Sequence, residues 1–335
     1  MTTPNAKLRP LRVLASGVIA AAIVGLAACA SSSTEPTGPR GEARVFLDSV
    51  LRIMQENSVK KDSIDWPALR VQVFDSAGDA STTAAALPSI AYALAFIGDN
   101  HSWLRRPDGT FLSYPRTVFC TPAGSVSRHG LPSDIGYVRV PSYGGTSAQS
   151  AAYTTAIQDA LRLADADTLA GWVIDLRGNS GGNMWPMIAA LWPFLQDVVG
   201  HFRNSNGFWS EWSVIGLSSF DGPFLAATAA APHYLQSTST RVAVWTNGSV
   251  ASSGEAVVLA FKGRPDTRSF GAPTCGLSTG VRAYSLPGGF TLGLSRSVMA
   301  DRDSTLYGGQ IVPDETIADT AALMARTVEW LRTGM

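Results

Sequence analysis

Three short runs constrain the fold of this chain more than any other feature. They are Gly-Tyr-Val-Arg-Val at 136–140, Gly-Trp-Val-Ile-Asp-Leu at 171–176 and Arg-Val-Ala-Val-Trp-Thr at 241–246. Each is β-branched and largely apolar, each ends in a Gly/Ser/Asn-rich turn, and each is followed by a helical pattern (147–165, 183–197, 253–262). Strand, turn and helix recurring in this order predict an α/β fold with a mainly parallel sheet flanked by helices. Upstream, apolar residues at helical spacing predict helices at 43–56, 65–77 and 83–97, the last stopping at Gly98. These form a small N-terminal helical lobe over 43–102, leaving 103–335 as the α/β core. Near the end, 282–286 and 290–297 flank Pro287-Gly-Gly289 as a hairpin, and a last helix covers about 315–332. A hydrophobic content of 45% against 16% charged residues suits a core-rich globular protein and excludes disorder.

The N-terminus is of another kind. Lys7, Arg9 and Arg12 precede an apolar run, 13–28, of only 16 residues. A bilayer-spanning helix needs about 20, so this pattern reads as a secretory signal. Leu26-Ala-Ala-Cys29 matches the bacterial lipobox, in which the cysteine is acylated and becomes the first mature residue. Residues 1–28 are therefore read as a lipoprotein signal peptide and 29–42, rich in Ser, Thr, Pro and Gly, as a flexible tether. Each buried CH₂ of an acyl chain contributes about 0.8 kcal/mol, so the expectation is a protein held at the cell envelope, periplasmic or on the outer membrane, without spanning a bilayer. Loss of the leader leaves 23 basic against 26 acidic residues. With no Lys/Arg stripe, nucleic acid is not an expected partner. No CxxC pair or His/Cys cluster is present, so a structural zinc site is not supported, and no other metal or organic cofactor is implied. Cys120 and Cys275 could pair in an oxidising compartment or remain as two buried thiols.

Three segments carry the chemistry. Thr246-Asn-Gly-Ser-Val-Ala-Ser252-Ser-Gly-Glu255 runs from a buried strand through a turn into an apolar helix. That geometry lifts the Ser252 hydroxyl out of the backbone at a helix N-terminus, where free N–H groups can stabilise an oxyanion. Ser252-x-x-Glu255 is equally a capping box, which needs no catalysis. Asp175-Leu-Arg-Gly-Asn-Ser-Gly181-Gly182-Asn183 ends a second strand in glycines that let N–H groups point into a shared site. Neither GxGxxG nor GxxxxGK[ST] is present, which argues against a nucleotide there. His101, in Gly98-Asp-Asn-His101-Ser102 after an apolar helix, supplies an imidazole of the kind a serine nucleophile needs as base. A loop histidine can also be a plain surface residue, as His129, His201 and His233 are read to be.

Together these segments resemble the serine peptidase family of the tail-specific, carboxyl-terminal-processing proteases, the tricorn core and the interphotoreceptor retinoid-binding modules. The segments 171–182 and 252–255 are similar to its strand-end and nucleophile motifs, and Tyr307-Gly-Gly-Gln-Ile-Val-Pro313-Asp314 to its closing motif. The resemblance covers about 43–335. It implies a crotonase/Clp-protease-like spiral, and a serine-type peptidase working through an acyl-enzyme on a peptide or protein substrate. Processing proteases carry a lysine after a Gly-x-x-Thr-x-Gly turn; here the stretch is Gly271-Ala-Pro-Thr-Cys-Gly276-Leu277, which excludes a Ser–Lys dyad. Asp99-Asn-His101-Ser102 is similar instead to the histidine motif of the tricorn-like branch. The resemblance thus implies Ser252 as nucleophile, His101 as base, and N–H groups of Ser253 with Gly181 or Gly182 as oxyanion hole. For an acidic third member the candidates are Asp303, then Asp301, with Glu255 or Asp99 as further possibilities; the position expected for it falls near Tyr307. Only 33 residues (103–135) separate His101-Ser102 from the first core strand, too few for the family's PDZ domain. That segment and 202–224 are the candidate pocket walls, or else surface loops packing aromatics onto the core. A binding module of the same fold and an esterase are the alternative functions.

Overall fold

The computed structural model describes residues 38–124, 130–236 and 241–335; the expected signal peptide and Cys29 lie outside them. Three helices open the fold: α1 (Gly41–Asn57), α2 (Trp66–Ala77) and α3 (Thr83–Ile97). Asp65 caps α2 by accepting Ala68 N–H at 3.0 Å, with Pro67 in the first turn, and Gly98 ends α3 at φ +64°. Then come β1 (Trp103–Arg105), β2 (Ile135–Arg139), α4 (Ser150–Ala164), β3 (Gly171–Asp175) and α5 (Met184–Ala190). The antiparallel run β4 (Asp197–Asn204), β5 (Trp209–Ile215), β6 (Ser218–Asp221) and β7 (Phe224–Thr228) follows. The chain continues through β8 (Arg241–Thr246), α6 (Ser253–Phe261), β9 (Thr267–Gly271), β10 (Thr279–Ser285), β11 (Thr291–Ala300), β12 (Glu315–Thr316) and α7 (Thr320–Thr333).

The strands form two sheets, and this corrects the expectation of one mainly parallel sheet. Five strands, in the order β12-β9-β8-β3-β2, are all parallel. The other seven are all antiparallel, in the order β1-β11-β4-β5-β6-β7 with β10 on the free edge of β11. The aromatic stretch 202–224, expected as pocket wall or surface loop, is a meander within this second sheet. The helical pattern expected over 183–197 stops at Ala190, just ahead of Trp192-Pro193, where proline lacks the N–H a continued helix would need.

Packing follows from these layers. Strand β3 is buried along its whole length, as a parallel strand covered on both faces should be. On one face Trp172 and Ile174 share a core with α4, α5 and α6; on the other Val173 and Trp245 pack against Leu323, Trp330 and Leu331 of α7. The N-terminal helices do not form a separate core. Phe46, Leu47, Leu69 and Leu94 pack with Leu286, Leu292 and Leu294 around the β10–β11 hairpin, which thereby places the end of α3 beside the antiparallel sheet. Among the described residues, no helix is long and apolar enough to cross a membrane.

Candidate active site

Two turns at the ends of parallel strands interlock. Leaving β3, the buried Asp175 carboxylate accepts two hydrogen bonds from the Arg177 guanidinium, at 2.9 and 2.8 Å, and one from the Tyr137 hydroxyl at 2.8 Å. Arg177 in turn lies 4.5 Å over the Trp245 ring of β8. Two residues on, the buried Asn179 joins three segments. Its amide donates to Val140 O at 3.0 Å, its Oδ1 accepts Gly181 N–H at 3.0 Å, and its backbone oxygen accepts Ala251 N–H at 3.0 Å. Asn247, leaving β8, accepts from the Ser249 hydroxyl at 2.6 Å, and Ser249 Oγ accepts Gly178 N–H at 3.1 Å. A Cβ on Gly181 would stand 2.8 Å from Ser252 Cβ, and one on Gly254 2.4 Å from Asn179 O, so glycine is required at both positions for the turns to touch.

Ser252 sits at the tip of the second turn with φ +52° and ψ −119°, a left-handed conformation that costs a non-glycine residue about 1–3 kcal/mol. The surroundings hold it there. Its N–H donates to Glu255 Oε2 at 2.8 Å, and the Glu255 carboxylate also accepts from Thr274 Oγ1 (2.6 Å), Gly276 N (2.8 Å) and Leu277 N (2.8 Å). Burial pushes the Glu255 carboxyl up while these four donors pull it down. Glu255 is thus fully engaged in binding the elbow to the 274–277 loop and does not face His101 with a free oxygen. Cys275 of that loop is disulfide-bonded to Cys120, Cα atoms 4.8 Å apart, which resolves the two readings of the cysteines in favour of a bridge.

Around Ser252 the backbone donors divide. Gly181 N–H is taken by Asn179, whereas Gly182 N–H and Ser253 N–H meet no acceptor among the described residues. The first N–H of a helix has no partner within it, so Ser253 is available by construction. Ser253 Oγ donates to Gly182 O at 2.7 Å and fixes the two donors relative to each other. Gly182 itself is pressed onto Tyr143 O, where a Cβ would approach within 2.1 Å.

His101 comes from the other side, on the turn after α3. Asp99 accepts His101 N–H at 3.0 Å, Ser102 N–H at 2.7 Å and the Ser102 hydroxyl at 2.5 Å, so it shapes the loop and does not orient the ring. Ser102 Oγ accepts Ser295 N–H at 2.9 Å and ties the loop to β11. The imidazole Nδ1 lies 2.7 Å from Thr279 Oγ1, which is 3.3 Å from Ser295 Oγ. Among the described residues no hydrogen bond joins the ring to Ser252. Burial, then the Arg116 charge, lower its pKa from 6.5 to about 4, so the ring is neutral at pH 7 and able to take a proton. Thr279 lines a cavity of about 500 Å³ together with Ser252, Ser253 and Gly182. It also lines a second, of about 700 Å³, with Asp99, Phe119 and Tyr307.

Neither Asp301 nor Asp303 reaches His101, which corrects the expected third member. Asp301 closes the turn after β11, accepting Asp303 N–H, Thr305 N–H and, at 3.0 Å, the Tyr307 hydroxyl. Asp303 lies against Gly263, and the intervening Arg302 donates to Ala260 O and Lys262 O, at the end of α6 opposite Ser252. The ring partner is a neutral hydroxyl, Thr279, which sequence reasoning missed because a threonine opening a hairpin strand carries no signal. Asn179 lies inside the glycine-rich turn itself, but its joining role depends on Val140, 39 positions away. The expected pocket walls contribute Phe202 and Asp221 to the smaller cavity and Thr117, Val118 and Phe119 to the larger. Among the described residues, no group of His, Cys, Asp and Glu could hold a metal ion.

Ser252 thus stands strained between two interlocked turns, beside a cavity that Thr279, the partner of the neutral His101 ring, also lines, and the comparisons give the family. The model of peptidase family S41 matches residues 134–317, and the chain belongs to that family. A nisin-resistance protein of Lactococcus lactis subsp. lactis is 22% identical over 300 residues, covering 89% of this chain and 88% of that protein. Among solved structures, a lipoprotein from Streptococcus agalactiae superposes with a TM-score of 0.66 at 21% identity, over 88% of this chain and 97% of the other. The photosystem II D1 C-terminal processing protease gives 0.51 at 14% identity, over 84% and 96%. At these identities the structural likeness establishes the fold, a mixed α/β architecture shared across the family.

Proposed function

We propose that this protein is a serine peptidase that cleaves peptides through an acyl-enzyme on Ser252, with His101 as base and later acid. Ser252 Oγ attacks the scissile carbonyl carbon as its proton passes to the imidazole. The carbonyl oxygen becomes an oxyanion facing Ser253 N–H and Gly182 N–H. Collapse breaks the C–N bond, the leaving amine takes the proton from His101, and water activated by the same ring then releases the acyl group. Thr279, bonded to Nδ1, sets the ring orientation in the role a carboxylate holds in a triad. The observation that carries this reading is the backbone of Ser252: a helix cap needs no positive φ, whereas a nucleophile displayed on a strand-to-helix turn has one. The Ser252–His101 bond that this mechanism needs is of a kind that tightens on substrate binding.

The lipobox at Cys29 supports a mature protein held at the cell envelope by a lipid anchor, and the likeness to a lipoprotein from Streptococcus agalactiae is in keeping with it. Its substrates are then extracellular or periplasmic peptides, and the name of the Lactococcus relative makes nisin the first peptide to offer. The test is fluorophosphonate labelling of the wild type against Ser252→Ala and His101→Ala. Labelling at Ser252 that both variants lose supports the reading. A folded wild type that does not label would favour a binding module, to which the His101–Thr279 bond already lends itself.

A further inference from the structure

The cavity beside Ser252 holds two positive charges that the peptidase reading does not use. Arg282 and Arg296 line it together with Trp185, Phe202 and Asp221. Asp221 is the one carboxylate among the lining residues; it accepts the Ser210 hydroxyl at 2.5 Å and forms an ion pair with neither arginine. Arg282 lies over the Tyr284 ring at 5.9 Å. Arg296, half-buried, has no carboxylate within ion-pair distance among the described residues.

The placement of Arg296 comes from an irregularity in the sheet. Along the β10–β11 pair, Gly280 faces Ser297 and Val281 faces Ser295, so Arg296 is the extra residue of a β-bulge. On the other edge of β11, β1 pairs only as far as Gly293 and β4 begins at Ser297, which leaves Arg296 outside both ladders. Bulges turn a side chain out of the regular alternation, and they concentrate beside active sites. Its strand neighbours Leu294, Ser295 and Ser297 are buried, whereas Arg296 reaches into the cavity. A guanidinium withdrawn from water without a counter-charge is unfavourable unless a ligand supplies one, and its planar fork matches a carboxylate in two parallel hydrogen bonds.

We propose that Arg296, backed by Arg282, forms a carboxylate-binding subsite of the Ser252 cavity. It recognises an anionic group of the peptide near the scissile bond, either an acidic side chain or the terminal carboxylate of the chain. The inference rests on the peptidase reading, and it adds the charge class of the substrate. Asp221 leaves the cavity with one net positive charge and discriminates against a second acidic group.

The test measures how short peptides slow fluorophosphonate labelling of Ser252 in the full chain. The peptides are acetyl-tetraalanine as free acid and as amide, and acetyl-Ala-Glu-Ala-Ala-amide with its Gln counterpart. In the wild type an anionic member of a pair should protect about tenfold better than its neutral partner. Preference for the free acid assigns the terminal carboxylate, and preference for the Glu peptide the side chain. The ratio of anionic to neutral protection should fall to about one in Arg296→Gln. Arg296→Lys, which keeps the charge and loses the fork, should retain part of it. Equal protection within both pairs in a wild type that labels, or an undiminished preference in a folded Arg296→Gln protein, would overturn the subsite alone. Absence of labelling without any peptide would instead remove the peptidase reading and the subsite with it.

Discussion

The parallel and antiparallel sheets contribute to one site in different ways. The parallel sheet delivers Ser252, Ser253 and Gly182 from turns directly after β3 and β8, and adjacency of those strands brings the turns together. The antiparallel layer delivers the rest across long chain separations. His101 is held through Ser102 to Ser295, its ring meets Thr279 178 positions away, and Arg296 enters through a bulge. The turn proposed to carry the nucleophile can thus be written in a dozen consecutive residues, while the proposed base and the pocket are assembled only once distant strands have paired. One half of the site should respond to local substitutions and the other to changes that loosen the layers.

The largest effect should come where the halves meet. Ser252→Ala and His101→Ala should each lower kcat/KM by at least about a thousandfold, and the double variant should be scarcely worse than either, since the two act as a unit. Additive losses in steady-state assays would break the pairing. Within the parallel half, Asn179→Ala should reduce kcat by about a hundredfold with little change in KM. It frees Gly181 N–H, whose acceptor is the Asn179 side chain, while the backbone bond from Ala251 stays, and so loosens the turn that carries Gly182. The same change should cost about 1–3 kcal/mol in urea unfolding, because Val140 O loses a buried donor.

Between the halves stands the disulfide. Cys120→Ser with Cys275→Ser opens a crosslink spanning 155 positions and should cost about 2–5 kcal/mol, read as a lower denaturation midpoint that reductant reproduces in the wild type. Because Cys275 adjoins Gly276 and Leu277, which donate to Glu255, activity should decline ahead of global unfolding as reductant is raised.

The smallest effect tests the antiparallel half alone. Thr279→Val keeps shape and removes the hydroxyl on Nδ1, and should lower kcat by about tenfold, with no loss of fluorophosphonate access. The pH profile sharpens this. With His101 titrating at about 4, wild-type kcat/KM should hold through mildly acid pH and fall only as the pH drops through about 4, where the ring becomes charged and cannot accept a proton. An acid limb near the ordinary histidine value of about 6.5 would show that the buried ring is not the operating base. The sign for stability follows from the same shift. The folded ring resists the proton that the unfolded chain binds, so stability is intact above about 6.5 and declines as pH falls toward about 4.

Several elements were legible because their signals are local. Asp65 with Pro67, Gly98 and the apolar run after Ser252 marked helix ends correctly. The β4–β5 hairpin has a signal too, since Asn206-Gly207 is a strong turn pair, but an aromatic-rich composition alone does not separate a loop from a meander. The expected acid failed for another reason. Asp301 and Asp303 lie near the closing motif in sequence, and sequence spacing does not show that the β11 turn carries them to the far end of α6.

By itself, the amino-acid order determined the two glycine-rich turns, the helix that begins at Ser253 and the family to which they belong. These follow from backbone preferences and apolar periodicity over a few residues. Only the tertiary structure decided that Cys120 meets Cys275, that Glu255 is consumed in holding the elbow, and that Thr279 stands beside His101. Those contacts depend on the register of paired strands and on which loops a closed core brings together. Both are set by burial summed over the whole molecule, and no short segment encodes them.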